Sequence, residues 1–277
     1  MGKKQVRVRD KFWLFASRAH DDDNFFAKCT DKSLRWSRIT PTEGAHMLGL
    51  SNIIMVASDG SPAPNSHEAY GYLESFCRMD NVMWSVTGSA GFRNGNEEDF
   101  ICKIADRYPN VCGAFFDDFT LSYEINEGPY DEDYLTDMLI DSRKKLNNAG
   151  KHIEMWASCY ISDAKKCSSK MYDPLDGITV WDMDTDSIMD MEENFVLYEE
   201  LLPNKKKMLG IYLFDYPRAM SIPDEYMELQ CETGLKWLKE GRIEGMVFLT
   251  NCVMGIGLPS EYWLREWIDK VGDEILE

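Results

Sequence analysis

Histidine is scarce in this chain, and cations are outnumbered. Four histidines and 30 lysines and arginines stand against 48 aspartates and glutamates, a formal charge of -18 over 277 residues. So acidic a surface repels nucleic acid and anionic membranes, and neither is expected as a partner. His20 falls at a strand end, His46 and His67 in helical patterns, and His152 at the start of a strand, too few and too scattered for a zinc hydrolase. No C-x-x-C pair occurs among the eight cysteines, and several lie inside apolar runs, where a thiol behaves as a small hydrophobe. Reduced thiols in a cytoplasmic protein are the expectation. No run approaches the ~18 apolar residues of a membrane helix. "MGKKQVRVRDKFWLF" shows no apolar segment of signal-peptide length. No G-x-S-x-G elbow occurs, and the lysines Lys103, Lys144, Lys145 and Lys151 sit in or beside helical patterns rather than within a strand. Nothing here calls for a cofactor or a metal.

What is present is alternation. Eight short apolar runs have strand length and strand composition: residues 12–20, 52–58, 81–89, 111–119, 152–160, 177–184, 208–216 and 245–251. Helical patterns separate them. Thr40-Pro41-Thr42-Glu43 reads as a capping box with Pro at the first helical position, Ser66 and Asn96 read as N-caps, and Pro203, Gly150 and Gly241 read as stops. The weakest helical pattern is "ISDAKKCSSKMYDPLD", between the fifth and sixth runs. Repeated β-α order implies a parallel sheet, and eight units in this length fit a single (β/α)8 TIM barrel over residues 1–277. The rival, a doubly wound open sheet, normally places a Gly-rich phosphate loop after its first strand, and "ASRAHDDDNFF" is unlike one.

A parallel barrel sends the C-terminal ends of its strands to one face, where active sites of this fold lie. Those ends carry Arg18 and His20, Ser58 and Asp59, Thr87 and Ser89, Asp117 and Asp118, Ser158 and Tyr160, Asp182 and Asp184, Asp215 and Tyr216, and Thr250 and Asn251. Aspartates at strand ends four, six and seven suggest an acidic basin. Strand alternation sends Asp117 and Asp118 to opposite faces and puts Asp182 and Asp184 on the same one. Most strand aromatics belong to the core. Trp181, near a C-terminal end, is the tryptophan best placed to stack on a sugar.

With "GAFFDDF", "VWDMD" and "YLFDY" at strand ends four, six and seven, the sequence resembles the (β/α)8-barrel glycoside hydrolases. The resemblance implies a glycosidase acting on a carbohydrate. One arrangement in that group puts the acid/base at strand four and the nucleophile at strand seven, usually as glutamates; the matching positions here are Asp117 or Asp118 and Asp215. The other, in α-galactosidase-like barrels, uses an aspartate nucleophile after strand four and an aspartate acid/base after strand six. That matches Asp117 or Asp118 with Asp182 or Asp184, although Phe115 stands where a Lys-x-Asp pattern would have its lysine. Glycosidic cleavage needs one protonated and one ionised carboxyl, about 5 Å apart for retention or about 6.5–9.5 Å for inversion. The catalytic candidates are therefore Asp117, Asp118, Asp182 and Asp215. Asp184, Arg18, His20, Trp181, Tyr160, Tyr216 and Asn251 are the candidates for holding substrate. A non-catalytic carbohydrate-binding barrel and an Asp-rich Mg²⁺-dependent barrel enzyme are the alternatives.

Overall fold

The computed structural model describes residues 5–23, 36–120 and 131–276. Each apolar run forms a strand: β1 (Phe12–Ala16), β2 (Asn52–Met55), β3 (Asn81–Thr87), β4 (Val111–Phe116), β5 (Glu154–Tyr160), β6 (Gly177–Trp181), β7 (Lys206–Tyr212) and β8 (Gly245–Leu249). The strands close in chain order, with β8 pairing in parallel with β1 from Met246 opposite Phe12 to Leu249 opposite Phe15. The fold is a (β/α)8 TIM barrel. Strands of such a barrel are covered on both faces, which is why they read as near-continuous apolar runs. Every residue of β1, β2, β6 and the last six of β3 is buried.

The described helices are α1 (Pro41–Met47), α2 (His67–Ser75), α3 (Glu97–Arg107), α4 (Glu132–Leu146), α5 (Ile161–Lys166), α6 (Thr185–Met189), α7 (Met191–Leu201), α8 (Asp224–Lys239) and α9 (Pro259–Val271). The capping box at α1 forms as expected: the Thr40 N–H donates to Glu43 Oε2 at 2.9 Å, and the Glu43 N–H donates to Thr40 Oγ1 at 3.4 Å. Ser66 caps α2 by accepting the Ala69 N–H at 3.0 Å. Asn96 precedes α3 but makes no side-chain cap. The Glu97 carboxylate instead accepts the Asn94 and Gly95 N–H groups, which holds the turn leading into the helix. The weak helical pattern after β5 resolves into short α5 and a 3₁₀ turn over Ser169–Tyr172.

The chain divides into two compact units. The terminal unit comprises Met1–Ile53, Asp182–Met191 and Lys207–Glu277, and the middle unit comprises Ile54–Trp181 and Glu192–Lys206. In the middle unit Trp84 and Trp156 are fully buried, and Trp84 meets Phe100 of α3 edge-on at 5.6 Å. In the terminal unit Phe12 stacks on Trp267 at 5.7 Å and meets Phe248 edge-on at 5.2 Å. Each such ring contributes roughly 1.5–3 kcal/mol by leaving water. Every described cysteine is a free thiol; Cys29 lies outside the described residues. Among the described residues no helix is long and apolar enough to cross a membrane.

Candidate functional site

In the middle unit, β4 ends at Phe116, and the next two residues are the acid pair. The Asp117 N–H still donates to the Thr87 carbonyl of β3 at 3.1 Å, continuing the strand's hydrogen bonding. The backbone then turns sharply, because Asp118 has φ +44°, a left-handed conformation that aspartate tolerates better than most residues. Strand alternation, which would send the two acids to opposite faces, therefore stops one residue too early to govern Asp118. Its N–H donates to Ser158 Oγ of β5 at 2.9 Å. Its carboxylate accepts the Ala90 N–H at 3.1 Å and the Tyr160 hydroxyl at 3.3 Å.

Asp117 is only 6% exposed, and Phe115, Phe116 and Phe119 of the same segment are buried too, while Asp118 is half-buried. Burial raises the proton affinity of Asp117 well above that of an ordinary aspartate. The Asp118 charge adds to the rise, and the Ser158 hydroxyl and Asp118 N–H oppose it. Burial also raises Asp118, against the Ala90 N–H and Tyr160 hydroxyl and with the Asp163 charge. Among the described residues no cationic side chain is named as acting on either carboxyl. This sets the pair apart from other enclosed acids of the same unit. Glu98 is paired with Arg93 at 2.5 Å, and Asp176 with Arg143 at 2.5 Å. For Glu98, burial works to raise the pKa, but the Ser142 hydroxyl and the Arg93 charge bring it below the usual value.

A third carboxylate belongs to this neighbourhood and was missed in the sequence. Asp163, in the first turn of α5, accepts the Thr120 hydroxyl at 3.1 Å, and its charge reaches Asp118. Its signal was positional: α5 begins directly at the end of β5, so Asp163 follows Tyr160 by three residues.

In the terminal unit the candidates are differently employed. Asp215 is fully buried, and Arg218 neutralises it: the Arg218 N–H reaches Oδ1 at 2.8 Å and the guanidinium reaches Oδ2 at 2.9 Å. This tie fixes the turn between two short antiparallel strands, Phe214–Asp215 and Met220–Ser221. Asp182 is 8% exposed at the end of β6. Asp184 caps α6, accepting the Asp186 and Ser187 N–H groups at 3.1 and 2.9 Å, and the Ser187 N–H holds it below the usual carboxylate range. Asn251 is fully enclosed. Its amide accepts the Ser17 N–H and donates to the Ser17 and Ile39 carbonyls, tying these chain segments together. Arg18 pairs with Asp21 at 2.8 Å, and exposed His20 sits 3.1 Å from Asp23. The Tyr216 hydroxyl donates to Asp22 at 2.7 Å. Burial, reinforced by Asp21 and Asp23 and opposed by that bond, pushes Asp22 up to about 6. The run Asp21-Asp22-Asp23 was the overlooked signal.

Trp181, expected to stack on a sugar, belongs to the middle unit. It is 4% exposed and donates its indole N–H to Thr179 at 2.8 Å. Tyr160 stays beside Asp118. Among the described residues no three His, Cys, Asp or Glu side chains are grouped to hold a metal ion.

No protein-family model matches the sequence, and no curated protein matches it. Solved structures share the fold. The GH99 endo-alpha-mannosidase from Bacteroides thetaiotaomicron aligns over 95% of this chain and 97% of its own, with TM-score 0.53 and 9% identity. The active domain 2 of the chitinase from Pyrococcus furiosus aligns over 98% and 99%, with TM-score 0.54 and 12% identity. An aldolase, QR15, aligns over 95% and 99%, with TM-score 0.51 and 10% identity. At these identities the likeness is one of fold.

Proposed function

We propose that the protein hydrolyses a glycosidic bond at the end of β4. The observation that carries this reading is the Asp117–Asp118 pair at the end of β4, one carboxyl enclosed and one half-buried, held by Ser158, Ala90 and Tyr160, with burial raising the affinity of both for a proton and no cation acting on them among the described residues. The glycosidases among its structural neighbours, on the same barrel, support the reading.

Two carboxyls so coupled titrate as a unit. Burial raises the affinity of both members for a proton, and the half-buried one, Asp118, is the member placed to donate to the departing glycosidic oxygen. Proton donation by a positioned acid of this kind contributes about 10²–10⁴-fold to rate. The second carboxyl role falls to Asp163, which accepts the Thr120 hydroxyl and whose charge reaches Asp118. Its negative charge stabilises the positive charge that develops at the anomeric carbon. Water adds its oxygen to that carbon and returns a proton to the carboxyl cluster, which restores the starting state. Tyr160 orients Asp118 through its hydroxyl. Asp215, already neutralised by Arg218, has a positioning role in the terminal unit.

The test is turnover of a panel of uncharged aryl glycosides in both anomeric forms. Asp118→Asn and Asp163→Asn are expected to lower kcat at least about a hundredfold while the protein stays folded. Asp215→Asn and Asp182→Asn form the separate arm for the terminal unit. Saccharide binding without turnover by the wild type would identify a carbohydrate-binding barrel instead. Loss of turnover with EDTA and recovery with Mg²⁺ would identify a metal-dependent enzyme.

A further inference from the structure

We infer that the groove between α8 and α9, in the terminal unit, docks a basic peptide segment through an arginine side chain. The inference does not depend on the hydrolase reading. The groove has a volume of about 280 Å³ and is lined by Glu228 and Glu232 of α8 and by Trp263, Glu266, Trp267 and Lys270 of α9. Its α9 side carries a stack of rings. Trp267 is 4% exposed and stacks on Phe12 at 5.7 Å, and Trp263 stacks on Trp267 at 6.3 Å with the planes 14° apart. Trp263 ends the stack, half-buried and with no other ring contact among the described residues. Glu232 is anchored, because its carboxylate accepts the Trp267 indole N–H at 2.9 Å. Glu228 and Glu266 are exposed, and among the described residues neither makes a hydrogen bond or an ion pair. Lys270 follows Glu266 by four residues, a spacing at which ion pairs form, yet the two are not paired. Three carboxylates thus stand against one ammonium.

Like charges one turn apart on a helix repel, as Glu228 and Glu232 do, and a cation seated between them relieves the repulsion. An indole face also attracts a cation through its quadrupole. A guanidinium answers both features at once: it is planar and stacks on an indole, and its fork of N–H donors fits carboxylates. Sites for drug-sized ligands run about 300–1,000 Å³, so this groove suits a single side chain better than an oligosaccharide. The four-residue step from Glu228 to Glu232 is about 6 Å along the helix. Same-side residues of an extended peptide repeat at about 6.6 Å, so a second basic residue two positions on meets the second carboxylate. That match favours a peptide over a lone cation.

The experiment uses the full chain at low ionic strength and follows the indole N–H signals by nitrogen-15 NMR, with Trp263→Phe to assign the Trp263 signal. The probe is acetyl-Gly-Arg-Gly-Arg-Gly-amide. Its control has citrulline for arginine, which keeps the shape and removes the charge. Saturable displacement of the Trp263 signal is expected, with the arginine peptide bound at least about tenfold more tightly than the control. Glu228→Gln and Glu266→Gln should each weaken binding at least about threefold with Tm unchanged, and added salt should weaken it too. Arginine amide alone should bind at least about tenfold more weakly than the peptide. Equal affinity for the citrulline peptide, an unmoved Trp263 signal, or unchanged affinity in both glutamine variants overturns the inference. Arginine amide binding as tightly as the peptide overturns the peptide as occupant. Displacement of the Trp263 signal by a neutral oligosaccharide and not by the arginine peptide overturns the inference in favour of a sugar site.

Discussion

Asp117 carries a charge that its surroundings disfavour. Its carboxyl is enclosed beside Asp118 and binds a proton more tightly in the folded protein than in the unfolded chain, where an aspartate titrates near 3.9. The sign follows from linkage. The folded state is favoured by protonation, so stability falls as pH rises above the unfolded value, and the penalty is present at neutral pH and absent below about pH 4. Asp117→Asn keeps the shape and removes the charge. We expect it to raise Tm by about 2–4 °C at about pH 7.5, leave Tm unchanged at about pH 3.5, and lower turnover. A fall in Tm at neutral pH would show the charge to be stabilising, as an ion-paired aspartate's is. Asp215 is the contrast within the same protein: equally enclosed, but tied at both oxygens to Arg218.

At the scale of elements, the site depends on where β2, β3 and β4 let go of one another. Gly88 follows β3 with its Cα against β2; a Cβ there would lie 1.8 Å from the Ala57 carbonyl oxygen. The Ser89 N–H donates to that same oxygen at 3.1 Å, and the next residue, Ala90, supplies the N–H that holds Asp118. Gly88→Ala is therefore expected to cost about 1–3 kcal/mol and to lower turnover by displacing Ala90. Gly71→Ala in α2, where a Cβ meets nothing within 4 Å, should be neutral or stabilising. Thermal unfolding with parallel kinetics distinguishes the two. The same elements show what was legible in the sequence. All eight strands were, because buried parallel strands are written as apolar runs, and so were the caps at Thr40 and Ser66, whose signals are local. What escaped depended on distant partners or on backbone that leaves the regular pattern. Asn96 makes no side-chain cap, the positive φ of Asp118 broke the alternation, and Asp163 sat in the helix hardest to read. The aspartates could be found from sequence, but not which of them an arginine had already neutralised. That depends on the turn that brings Arg218 back to Asp215 and on the packing that brings Arg93 to Glu98.

At the scale of the whole molecule, the charge of -18 acts in the same direction as the local site, lowering the concentration of anions near the surface and raising that of cations. Glu98, Asp176 and Asp215 are each paired with an arginine, so net charge alone does not decide that no cation among the described residues acts on Asp117 and Asp118. The most direct measurement is a carbon-13 NMR titration of all aspartate carboxyls in the intact protein, with Asp117→Asn and Asp118→Asn used to assign the pair. The expected result is two coupled signals that titrate above the ordinary aspartate range, each displaced when the other residue is replaced, separate from Asp22 at about 6. Midpoints for Asp117 and Asp118 at or below about 4, unaffected by each other's replacement, would contradict the claim that this pair is the protein's proton-holding centre.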